Sequence, residues 1–206
     1  MHQLAYKQQG QKISVRKEYQ EVNRLRRSYE RQINFRLIST FSKIGSKASD
    51  AFISNGTQGF EAIASSIRTD VATTLEPFYR QVILAFAKRT FNNRYSQKAI
   101  QDYDGIYKQF MRDIGGTRIT EISDTTRKII SKTILDNRSE GVAVISKAIN
   151  ERMSPKFTRA RASTIARTET HTASSFAIQK QAENFEAPQM RKKWIATTDD
   201  RSRASH

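Results

Sequence analysis

Apolar residues recur every three or four positions along most of this chain, the spacing of one face of an α-helix. Val22, Leu25, Tyr29, Ile33, Leu37, Phe41 and Ile44 form the first stripe and predict one long helix over residues 18–44. Arg24, Arg26, Arg27, Arg31 and Arg36 flank it. Two roles are open to these cations. They can solvate the outer face of an amphipathic helix, or face anions while the stripe docks on a partner. The Gly- and Ser-rich segment GSKASDAFISNGTQG, residues 45–59, interrupts the pattern and predicts a hinge.

Beyond the hinge, Phe60, Ile63, Ile67, Val71 and Leu75 restore helical spacing, and Phe78, Val82 and Phe86 continue it. Pro77 lies between the two runs, lacks an amide proton and disfavours the α conformation at Glu76, so a kink or break is expected there. The next stripe is Ile100, Tyr103, Tyr107, Phe110 and Ile114, which Gly115-Gly116 should stop. Ile122, Ile129, Ile130 and Ile134 predict another helix, and Val142, Ile145 and Ile149 a short one. Ser154-Pro155 is a strong helix start, and that last helix should run to about Asn184. Residues 190–197 alternate and contain the single Trp, which predicts a strand in need of a partner.

The fold class that follows is mainly α. An elongated helical N-terminal arm (residues 1–47) leads to a helical body (48–118), then to a helical region ending in a small α+β element with one strand (119–206). Composition adds a charge asymmetry. The 206 residues carry a formal net charge of +16, of which +8 lies in residues 1–47, +3 in 48–154 and +5 in 155–206. An excess gathered at the two ends fits a polyanionic partner, nucleic acid or an acidic protein surface, better than it fits general solubility. With no Cys, disulfides and thiolate chemistry are excluded. No apolar run approaches the roughly 18 residues of a membrane span, and no signal-peptide core follows Met1.

One residue stands out on physical grounds. Within IARTETHTASSFA, residues 165–177, Glu169 shares a helix face with Ile165, Ala166, Thr172, Ala173 and Phe176, none of them basic. A carboxylate on an apolar stripe needs a cation from elsewhere in the fold. Arg167 cannot supply it, being about 160° away around the helix. The expected donors are Arg201 or Arg203, folding back with Trp194 as cover, while Asp199 and Asp200 serve Arg167.

The combination RTET at 167–170 and W-x5-D-R-S-R-x2-H from Trp194 to His206 resembles the phage head-morphogenesis family, the Mu F-like minor head proteins of tailed bacteriophages. Arg167, Thr168 and Glu169 match its I-A-R-T-E helix. Trp194, Asp199 or Asp200, Arg201, Arg203 and His206 match its second element. The resemblance covers about residues 119–206, and members normally continue past this His, so the chain is expected to be cut or truncated there. It implies a minor capsid protein inside the head at the portal vertex, assisting head assembly and the handling of DNA near its exit. Partners would be the portal protein, the major capsid protein, and double-stranded DNA gripped through its phosphates, with no membrane and no cofactor. The Val22–Ile44 stripe is the expected portal-docking surface, and Arg24, Arg26, Arg27, Arg31 and Arg36 the contacts to nucleic acid or partner.

Three alternatives remain. His171, His206, Glu169, Asp199 and Asp200 could gather around a metal, although no ligand spacing such as HExxH is present. Toxin domains, which some members carry, have no room after the motif. An internal or ejection protein that binds DNA without touching the portal, or a scaffold-like helical assembly factor, would share the same composition.

Overall fold

The computed structural model describes residues 15–92 and 102–183. Among these, all regular structure is helical: α1 (Val15–Ala64), α2 (Ser66–Asn92), α3 (Tyr103–Phe110), a π-helical turn (Met111–Gly115), α4 (Gly116–Asp136), α5 (Val142–Arg152) and α6 (Pro155–Glu183). The predicted strand at 190–197 and the expected end of the last helix at Asn184 lie outside the described residues. No described helix is long and apolar enough to cross a membrane.

α6 runs through the middle of the assembly and packs against α1, α2, α3 and α5. Its inner face is made of small residues, with Ala162, Ala166, Ala173, Ser174 and Ala177 all buried. Small side chains let the neighbouring helices approach closely, and those neighbours supply the bulk. Phe41 of α1, Phe78, Tyr79 and Phe86 of α2, and Phe110 of α3 are each no more than 1% exposed. Their rings meet edge-on or tilted, Tyr79 to Phe110 at 5.0 Å between centroids and Phe110 to Phe176 at 5.3 Å. Such pairs add about 1 kcal/mol beyond the area they bury.

The Val22–Ile44 stripe turns inward. Ile33, Leu37, Phe41 and Ile44 are 0–1% exposed within the protein's own core, and Val22, Leu25 and Tyr29 are partly buried against it. This corrects its reading as a portal-docking surface: the apolar spacing that suits a partner equally suits α2 and α6, which occupy it. The boundaries at 47/48 and 118/119 likewise fall inside α1 and α4, and one hydrophobic cluster runs from Ile33 to Ala177.

Three expected breaks resolve differently. The hinge over 45–59 narrows to Asn55-Gly56, where φ is −150° and +55° respectively. Residues 45–54 stay helical because Ile44, Ala48 and Phe52 keep a four-residue buried spacing through the Gly/Ser segment. Pro77 does not end its helix, which continues to Asn92. Glu76 and Pro77 face solvent, so a Thr73 carbonyl deprived of an amide partner can be hydrated, while Leu75, Phe78 and Tyr79 pin the helix from the inner side. Gly115-Gly116 do not terminate a helix either. There the chain makes a π turn and continues as α4.

That turn has a geometric cause. Buried positions step by four from Ile106 to Phe110, by five to Gly115, then by four to Ile119. A five-residue step overshoots an α-helical face, and one wider turn absorbs the extra residue. Gly115 is required by proximity: a Cβ there would lie 2.8 Å from the Met111 sulfur and 2.9 Å from Phe110 Cε1. Gly115→Ala is therefore expected to destabilise by about 1 kcal/mol in urea titrations, overpacking outweighing the gain in helix propensity. Gly56→Ala, by contrast, meets nothing within 4 Å but must hold a positive φ, and should lose about 1–3 kcal/mol to backbone strain alone.

Candidate functional site

Glu169 is the only charged side chain that is buried among the described residues, at 1% exposure. Two other helices converge on it. From α2, the Tyr79 hydroxyl donates to Oε2 at 2.8 Å. From α4, Arg118 donates to Oε1 through Nε at 3.2 Å, with Nη2 at 3.1 Å. The remaining guanidinium nitrogen, Nη1, reaches Glu121 at 3.0 Å. The carboxylate is thus shared between a neutral donor and a cation, each taking one oxygen.

Each partner has a local reason to be there. Tyr79 lies in the inner stripe of α2, and a phenol placed in an apolar face needs an acceptor for its proton. Arg118 follows the π turn directly, on the flank of the Ile119 and Ile122 stripe, where its stem packs and its head reaches α6. Without the five-residue step, the start of α4 would be rotated by about 100° relative to α3, and Arg118 and Phe110 could not both face inward.

The electrostatics follow from burial. Desolvation raises the Glu169 pKa above the ordinary carboxylate range, and the Tyr79 hydrogen bond and the Arg118 charge pull it back part of the way. Tyr79 is driven up strongly, first by burial and then by the Glu169 charge. Burial tends to lower Arg118, but the two glutamates outweigh it and the net shift is upward. A phenol held protonated and a carboxylate with both oxygens occupied form a clamp between helices. This arrangement holds charge in place and offers no free base.

Close by, Arg161 of α6 reaches into the α4 side of the core. Its Nη2 donates to the Ile122 carbonyl at 3.0 Å and to Thr126 Oγ1 at 2.9 Å, and its guanidinium lies over the Phe41 ring at 4.6 Å. Burial lowers its pKa to about 10. Arg118 and Arg161 flank a groove of about 280 Å³ between α4 and α6, with Thr125 and Thr168 on its walls.

Of the residues that the sequence grouped, the structure describes those of the helix. Glu169 is buried, Thr168 half-buried and Arg167 exposed. Trp194, Asp199, Asp200, Arg201, Arg203 and His206 lie outside the described residues. The cation that holds Glu169 among the described residues is Arg118, and the expected pairing with Arg201 or Arg203 lies outside them. Arg26 departs from its group as well: Nε donates to Ser174 at 2.8 Å, Nη2 to Ser175 at 3.2 Å, and the head lies over Phe86. It ties α1 to α6, whereas Arg24, Arg27, Arg31 and Arg36 are exposed. His171 is exposed near Arg26 and Glu30, its pKa lowered by partial burial and then by Arg26. No group of three His, Cys, Asp or Glu among the described residues could hold a metal ion.

Compared with protein-family models, with characterised proteins and with solved structures, the chain matches none.

Because Glu169 has a raised folded-state pKa, the folded protein holds its proton more tightly than the unfolded chain. Its contribution to stability is therefore most favourable at low pH and declines as pH rises from about 4.3 through the raised value. Arg118→Met removes one of the two restraints on that shift, so the decline should steepen and extend to higher pH. At pH 7 the variant should lose about 2 kcal/mol, less than a fully buried pair would, since Arg118 is 34% exposed. Urea unfolding across this range, with Glu169→Gln/Arg118→Met as a non-titrating reference, measures it. Equal pH profiles for Arg118→Met and that reference would refute the coupling.

Proposed function

We propose that this chain is a minor capsid protein of the phage head-morphogenesis type, carried inside the head near the portal vertex. In that place it assists head assembly and handles DNA near the exit channel. The observation that carries this reading is the role of the I-A-R-T-E segment. In this chain its Glu is the one buried charge among the described residues, clamped by Tyr79 and Arg118. A motif retained for folding needs such an acid, whereas a solvated RTE triplet would be an accident of composition. The +16 net charge supports a polyanionic environment independently.

The portal contact, on this reading, uses an outer face of the bundle, since the Val22–Ile44 stripe is consumed by the core. A second reading, an internal or ejection protein that binds DNA without portal contact, rests on the exposed arginines of α1. The two part in one experiment. Mass spectrometry of nuclease-treated, salt-washed particles and of isolated portal rings should find the chain in both. Presence in particles but absence from the rings favours the second reading, and absence from particles overturns both.

A further inference from the structure

We infer that the outer face of the N-terminal half of α1 is a binding surface for the phosphate backbone of duplex DNA, built by Arg24, Arg27 and Arg31. The inference rests on the DNA-handling part of the proposed function and assigns it a place. These three arginines line one open groove of about 570 Å³ together with Tyr19, Gln20 and Asn23. Spaced three and four residues apart, they stand in one row that spans about 10 Å along the helix. Lys17, seven residues before Arg24, extends the row and is exposed.

No described carboxylate pairs with this row, a property it shares with scattered exposed cations such as Arg68 and Arg127. What distinguishes it is that three such cations stand together along one groove. Several surface cations elsewhere sit against carboxylates: Lys47 with Asp70, Arg80 with Asp104, Arg112 with Asp113, Lys132 with Asp136. Arg24, Arg27 and Arg31 form no ion pair or hydrogen bond with any described residue. The acid nearest in sequence to Arg24, Glu21, is held by Arg89 of α2. Like charges at three- and four-residue spacing repel along a helix, and an anionic ligand removes that repulsion. Arg36 does not belong to the row, lying about 140° round the helix from Arg31. Arg26 is committed to Ser174 and Ser175. Backbone phosphates suit the arrangement because a row of flexible guanidinium heads reads charge and spacing with no base edge. Phe35, one turn beyond Arg31 and 76% exposed, offers a face on which an unpaired base could stack, so single strands are the competing ligand.

The test measures anisotropy of a labelled duplex of about 20 base pairs with the full chain, over about 50 to 300 mM KCl. Arg24→Gln/Arg27→Gln/Arg31→Gln should flatten the slope of log affinity against log salt by about 2.7, and Arg27→Gln alone by about 0.9. The control is Arg68→Gln/Arg127→Gln/Lys128→Gln, which removes the same charge from other exposed positions and should change the slope by less than about 1. Equal flattening by both triples overturns the surface while leaving DNA handling intact. No duplex binding by the parent protein at low salt overturns both. Tighter binding of a single strand, abolished by Phe35→Ala, or of a polyglutamate probe, also overturns the duplex assignment.

Discussion

A carboxylate removed from water is the constraint around which this protein is arranged. Glu169 cannot be buried on α6 unless α2 delivers a hydroxyl and α4 a guanidinium to the same point. Desolvation of each ion costs several kcal/mol, and only good geometry with every lone pair engaged offsets it. The clamp therefore contributes little net stability but excludes alternatives. Sliding α6 by one turn against α2 or α4 would leave an acid and a phenol unpaired in the core, while Arg118 kept only Glu121. Arg161, with its two oxygen acceptors on α4 and the Phe41 face beneath it, adds a second lock on the same helix pair. Arg26 and its serines fix α6 against α1.

Local irregularities serve that arrangement. The π turn at Met111–Gly115 lets α3 and α4 present one continuous inner face although their buried positions are offset by a residue. Pro77 is carried on the solvent side of α2, where the missing hydrogen bond is least costly. Only at Asn55-Gly56 does the backbone leave helical geometry within α1, at a positive φ that glycine adopts without penalty. In each case packing of large side chains on the inner face outweighs the propensity of one or two residues, because burying a Phe or Ile is worth more than a glycine or a lost amide costs.

The division of labour among the arginines follows the same logic. Those whose stems cross apolar neighbours, Arg26, Arg118 and Arg161, turn inward and meet oxygens. Those on the outer face of α1 keep their charge for solvent or for a ligand. The mutual repulsion of that row is small, on the order of a few tenths of a kcal/mol per pair, and an anionic ligand would relieve it.

Apolar spacing of three and four, a local property carried by covalent connectivity, was enough to mark the helical stripes and the faces they bury. It was not enough to mark where helices end, since the chain runs on through Pro77 and Gly115-Gly116. The sequence by itself also determined that Glu169 required a cation from elsewhere, since no neighbour on its own helix was basic. It did not reveal which cation. Arg118 lies 51 positions away and Tyr79 90 positions away, and their only local signals were a phenol within an apolar stripe and an arginine on the flank of another. Nor did spacing separate a stripe that docks on a partner from one that fills the protein's own core, or an arginine that binds serines from one left in water. Those choices belong to the tertiary structure, because pairing between helices depends on which faces meet in space, and desolvation is decided only once they have met.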